Sequence, residues 1–251
     1  MGNSEKIINA FKGGDFPGSD TKKPKHIITT ISNVFVCGEK TYKIYKSDSK
    51  FFNDSFNDLS IKSNRFSFTR KDFEWNNNLS PEIYLELKGV FWNNNEVIFT
   101  EPKDDVDDLV IVMNKIDISD TLFEKLRSGG ISLNDCYEIG MQFGKRILSL
   151  PGSFKRVSVY ENFISLHKDL IAWIDSVNEF IPKEEATVYL NILLEFIKSN
   201  REYFEQDPLL IGPCLDIHAD NVLFVNNRLL PIDTYSPKEN WLSGYKYLSI
   251  Y

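Results

Sequence analysis

The apolar residues of this chain change their period near its middle, and that switch limits the folds open to it. From His26 to Met113 β-branched and aromatic residues fall in short alternating runs, whereas from Thr121 onward apolar residues recur every three to four positions. Period two is the mark of strands, and a period near 3.6 that of amphipathic helices. Residues 26–46 read as three antiparallel strands, roughly 26–30, 33–37 and 40–46, punctuated at Ser32-Asn33 and Gly38-Glu39. Phe66, Phe68, Phe73 and Trp75, set among charged positions, suit a helix over 64–78 that Leu79-Ser80-Pro81 stops, with Phe66, Phe73 and Trp75 as core. Strands follow near 83–92 and 96–101. The acids Asp104, Asp105, Asp107 and Asp108 read as a solvated turn before the apolar run Leu109–Met113, a buried strand. Helices are expected at 120–128, 132–149, 159–180 and 184–205, and strand signals return only at 213–234. The implied fold class is α+β: a sheet-rich N-terminal lobe over 26–114 with one helix, then a helical C-terminal lobe over 115–251 with an inserted β-hairpin. Residues 1–25 start with a short helix and become rich in Gly, Pro and Lys, a loosely held lead-in.

Composition narrows the function classes. The net charge is −7 and the lysines are scattered among acids, so no basic nucleic-acid footprint exists. Cys37, Cys136 and Cys214 are odd in number and widely spaced, which suits neither a disulfide framework nor a zinc site and points to a reducing cytoplasm with buried thiols. No signal-peptide h-region precedes Lys25, and no run is long enough to span a membrane.

The segment Cys214-Leu-Asp-Ile-His-Ala-Asp-Asn-Val-Leu-Phe, followed by Leu-Leu-Pro-Ile-Asp233, sets Asp216, Asn221 and Asp233 in a loop, strand, turn, strand sequence. Two carboxylates and an amide so arranged can serve phosphoryl transfer: one carboxylate orients a hydroxyl, and the amide and the second carboxylate hold magnesium. Alone, the same residues equally suit turn formers in a hairpin.

The pattern Asp216-Ile-His218-Ala-Asp220-Asn221 … Ile232-Asp233 resembles the His-Gly-Asp-x-His-x-x-Asn … Ile-Asp-Phe pattern of the aminoglycoside phosphotransferase family and its protein-kinase-like relatives. Upstream, Thr29-Thr-Ile-Ser-Asn-Val-Phe-Val-Cys-Gly-Glu-Lys-Thr-Tyr-Lys43-Ile and Asp72-Phe-Glu-Trp-Asn-Asn-Asn-Leu-Ser-Pro-Glu-Ile-Tyr-Leu85 are similar to motifs of a bacterial branch of predicted kinases, and Val112-Met113 fits its hinge. The resemblance runs from about residue 26 to 241 and implies a two-lobed kinase-like fold using ATP and Mg2+. It implies that Lys43 pairs with the nucleotide phosphates, that an acid on the following helix orients it (Asp72, or Glu74 two residues on), and that Thr30, Ile31 and Ser32 form the turn over the phosphates. Backbone at Met113, Asn114 and Lys115 would receive the adenine, Asp216 would be the catalytic base, and Asn221 and Asp233 would bind magnesium. His218 would brace the loop, and Asp220 would take no part in catalysis.

The chain departs from the pattern at several places. Cys214-Leu215 stand where the family has His-Gly, the helix acid is the shorter Asp, the phosphate turn lacks glycine, and Thr234-Tyr235 follow Asp233. The chain also ends soon after Asp233, so Trp241, Tyr245, Tyr247 and Leu248 are expected to need a partner chain or a further segment to cover them. Three readings follow. The first is a phosphotransferase acting on a hydroxyl of a small molecule or polypeptide. The second is a nucleotide-binding pseudokinase serving as a switch or scaffold, and the third a helical interaction module without a nucleotide site.

Overall fold

The computed structural model describes residues 2–17, 23–55, 57–149, 155–178, 180–205, 209–211 and 218–234. The fold class is α+β. Helix α1 (Asn3–Gly13) leads into strands β1 (Lys25–Ile28), β2 (Ser32–Cys37) and β3 (Lys40–Tyr45). Helices α2 (Lys50–Ser55) and α3 (Lys62–Leu79) follow, then strands β4 (Tyr84–Asn93), β5 (Glu96–Thr100) and β6 (Asp108–Asn114). These strands form one six-stranded antiparallel sheet in the order β1-β2-β3-β6-β4-β5. Helices α4 (Leu122–Arg127) and α5 (Leu133–Ser149) come next. Strand β7 (Lys155–Val157), helices α6 (Val159–Trp173), α7 (Lys183–Ser199) and α8 (Arg201–Glu205), strand β8 (Leu209–Ile211) and the hairpin β9 (Val222–Val225) and β10 (Arg228–Pro231) complete the described chain.

The central strand β6 is buried on both faces, which is why its sequence is an unbroken apolar run rather than an alternating one. Val110 and Val112 point to one core with Phe35, Tyr42, Ile44, Val90 and Val97; Ile111 and Met113 point to the other with Tyr45, Tyr84, Leu223, Leu230 and Ile232. Helix α1 covers the first face. Ile7 and Phe11 are fully buried, and Phe16 stacks on both Phe11 and Tyr42 at 4.5 Å between ring centroids. The short helix expected at the start is therefore packed against the sheet through Ile7 and Phe11, four residues apart on one face, and Phe16 beyond its C-terminal cap joins the same core. Helix α3 lies against the other face, next to β4 and β6.

The acidic turn is also not simply solvated. Asp108 is buried beside Arg65, with Nε and Oδ1 3.4 Å apart, and Asp107 accepts from the Trp92 amide and the Asn3 side chain. Both tight turns Asn94-Asn95 and Asn226-Asn227 take left-handed conformations at their two central residues, the geometry that matches strand twist. Of the cysteines, Cys37 is buried as expected; Cys136 is exposed on α5, and Cys214 lies outside the described residues.

By contacts the chain divides into two compact units: residues 1–146 with 215–236, and residues 147–214 with 237–251. The hairpin β9–β10 thus groups with the sheet, a partition drawn differently from the expected boundary at 114/115. In the first unit α5 packs on this hairpin: Gln142 and Arg146 bond the backbone of Asn227 and Leu229, and Ile139 and Phe143 pack against Val222, Phe224 and Leu229. In the second unit α6, α7 and α8 pack together, with Phe163 edge-on to Phe204, and β7 pairs with β8. Among the described residues no helix is long and apolar enough to cross a membrane.

Candidate functional site

Alternation along β3 turns Thr41, Lys43 and Tyr45 to the α3 side of the sheet, opposite Tyr42 and Ile44. On α3 a matching register of polar residues, Arg65, Thr69, Asp72 and Asn76, recurs at three- and four-residue spacing, and all four are buried. Buried polar groups have to be bonded: Arg65 reaches Asp108 and the Leu59 carbonyl, Thr69 donates to the Arg65 carbonyl, Asp72 meets β3, and Asn76 meets the turn after β10.

Lys43 is 5 % exposed, and its ammonium lies between two carboxylates. Nζ is 2.6 Å from Asp233 Oδ1 and 3.4 Å from Asp72 Oδ2. The Tyr45 hydroxyl donates to Asp72 Oδ2 at 2.8 Å, and Asn76 Nδ2 donates to Asp72 Oδ1 at 2.9 Å. Burial works against the charge on Lys43, yet Asp233 and Asp72 outweigh it and hold the ammonium well above its ordinary pKa. Burial raises Asp72, with Lys43 opposing. Lys43 in turn lowers Asp233, against a smaller effect of burial.

Asp233 sits in the left-handed region at φ 51°, a conformation that Asp tolerates better than most residues. Its amide donates to the Tyr84 hydroxyl at 2.7 Å. Its side chain is 55 % exposed, so the carboxylate is open on one side while Lys43 holds the other. Asn221 ends a short 3-10 turn, Ala219–Asn221, and its carbonyl accepts from the amide of Ile232, next to Asp233. Its side-chain amide has no hydrogen-bond partner among the described residues. One carboxylate and one amide are hard oxygen donors suited to magnesium shared with phosphate oxygens. Among the described residues no group of three or more His, Cys, Asp or Glu could hold a metal by itself.

Of the sequence candidates, Lys43, Asp72 and Asp233 come together, and the backbone of Asn221 joins them through Ile232. Asp72, not Glu74, faces Lys43; Glu74 is exposed on the other side of α3. Asp216 lies outside the described residues. His218 and Asp220 are both exposed, 3.7 Å apart between Nδ1 and Oδ2.

The phosphate turn differs from expectation. The amides of Ile31 and Ser32 are taken by the Thr29 hydroxyl at 3.3 and 2.9 Å, while Thr30 is exposed. A Thr in place of glycine bonds its own turn, leaving those two donors engaged. The Lys46 ammonium caps the carbonyls of Thr29 and Thr30 at 2.7 and 3.4 Å. The adenine segment differs too: the amides of Asn114 and Lys115 bond the carbonyls of Ile83 and Glu39, and Asn114's side chain is held by Lys40 and Glu82. Ladder bonding extends through the expected hinge, so those amides are not open to a ligand. Met113 is buried in one apolar cluster with Ile31, Leu223 and Ile232.

Sequence reasoning missed Tyr45, Asn76, Tyr84, Thr234 and Lys46. The signal for Asn76 was present in the polar register along α3; Tyr45 shares Lys43's face by strand alternation. The chain matches no protein-family model and no curated protein.

Proposed function

We propose that the chain is an ATP- and magnesium-dependent phosphotransferase that moves the γ-phosphoryl group to a hydroxyl of a small molecule or polypeptide, on a protein-kinase-like fold. One observation carries the reading: a buried lysine meets an acid 29 residues on, on the second helix after its strand, and another 190 residues on, after the hairpin. The sheet order and a central strand leading to the helices support it as well. In this reading Lys43 is a point charge for the phosphates, oriented by Asp72. Asp233 and Asn221 would hold magnesium, which when bound neutralises charge on the phosphate oxygens. Asp216 would accept the hydroxyl proton or orient the hydroxyl for in-line attack. ATP and magnesium are supplied in the cytoplasm, the location the reading implies.

The Cys214-Leu215 lead-in favours a second reading, in which the nucleotide is bound but not turned over and the protein acts as a switch or scaffold. Thermal unfolding of the full chain with ATP and magnesium, alongside an ATP-consumption assay with varied acceptors, tests both. Stabilisation lost in Lys43→Ala and turnover lost in Asp216→Ala are expected. Stabilisation without turnover selects the switch, and no stabilisation by any nucleotide rejects both.

A further inference from the structure

Asn76 is fully buried on α3, one turn beyond Asp72. Its amide joins Asp72 to Thr234, the residue after Asp233. Nδ2 donates to the carbonyl and Oδ1 of Asp72, and to the Thr234 carbonyl, each at 2.9 Å. Oδ1 accepts from the amide and the hydroxyl of Thr234, both at 3.1 Å. The neighbouring Trp75 indole donates to the same Thr234 hydroxyl at 3.1 Å. Thr234 is fully buried, whereas the carboxylate of Asp233, one residue earlier, is half exposed. The exposed carboxylate is thus carried by a backbone gripped on one side by Asn76 and on the other by the Tyr84 hydroxyl.

Only an amide fits this role. It donates to a carboxylate and a carbonyl while accepting from a backbone N–H and a hydroxyl; a carboxylate lacks the donors, and an apolar side chain would leave both Thr234 backbone groups unpaired in the interior. We propose that Asn76 is a positioning residue that locks Asp72 and the Asp233–Thr234 turn into one geometry and so sets the magnesium affinity of the site. Asn76 touches neither the metal nor the reacting atoms; it acts through Asp233. The inference rests on the nucleotide-binding reading above.

The test uses the full chain with ADP at fixed concentration and magnesium titrated, following the rise in melting temperature. In Asn76→Ala the magnesium concentration at half-maximal stabilisation is expected to rise about tenfold or more, as for other residues that orient a metal ligand. Nucleotide affinity at saturating magnesium should stay near that of wild type, a separation that general loss of stability would not produce. Thr234→Val, which removes only the hydroxyl, should give a smaller rise in the same direction, and Thr234→Ser, which keeps it, should titrate like wild type. If Asn76→Ala does not fold, the Thr234 pair decides. Folded variants that share the wild-type magnesium midpoint overturn the inference while leaving the functional reading intact. A wild-type chain that shows no magnesium-dependent stabilisation by ADP removes both.

Discussion

Between Asp72 and Asp233, the Lys43 ammonium keeps its charge although burial works against it. The two acids respond to this arrangement in opposite senses. Lys43 depresses Asp233, so this carboxylate favours the folded state above its unfolded pKa of about 4 and loses that contribution as pH falls through its lower folded value. Burial raises Asp72, which therefore favours the folded state when protonated and opposes it as pH rises. Asp233→Asn should accordingly be less stable than wild type at neutral pH, and the gap should narrow as pH drops below about 4. Melting curves of both proteins across that range check this; a gap independent of pH would show that Asp233 gains nothing from Lys43. That Lys43, Asp72 and Asp233 belong together was legible from the resemblance to the family's motifs rather than from their own spacing. Tyr84 and Thr234 were not, since their bonds close between residues far apart in sequence, which no local pattern encodes; Asn76 shows only as one position of the polar register along α3.

Among the elements, strands and α3 were legible from periodicity, and β6 most plainly, because a strand covered on both faces has no polar face to blur the pattern. Strand β7 was missed: three residues, Lys155–Val157, are too few to show a period, and pairing with β8 defines them. That the amides of Asn114 and Lys115 bond the carbonyls of Ile83 and Glu39 was not legible, because bonding at a strand's end is set by register, which sequence shows poorly. Register also fixes Gly89 in β4. A Cβ there would lie 2.5 Å from the Glu101 carbonyl oxygen and 2.7 Å from Val106 Cγ1. Gly89→Ala should cost about 1–3 kcal/mol through overpacking, measured by denaturant unfolding; a loss below a few tenths of a kcal/mol would mean that the strand end yields freely.

For the molecule as a whole, a net charge of −7 and a pI of about 5.1 separate colloidal from conformational stability. Near that pH the chain loses the net repulsion that keeps copies apart, while Asp233, being depressed, stays ionised against Lys43. Turbidity should peak near pH 5.1 with the near-ultraviolet circular dichroism still native; a peak that coincides with loss of that signal would refute it. The α+β class was legible at this scale; that the hairpin groups with the sheet rests on what α5 packs against, which the sequence does not display. The long reach of the Lys43–Asp233 bond also has a meaning for synthesis. At about 5–20 residues per second, a ribosome adds Asp233 roughly 10–40 s after Lys43. For most of that interval Asp72, only 29 residues behind the lysine, is the partner already made, and the nascent sheet waits for its second anion until the hairpin has been synthesised.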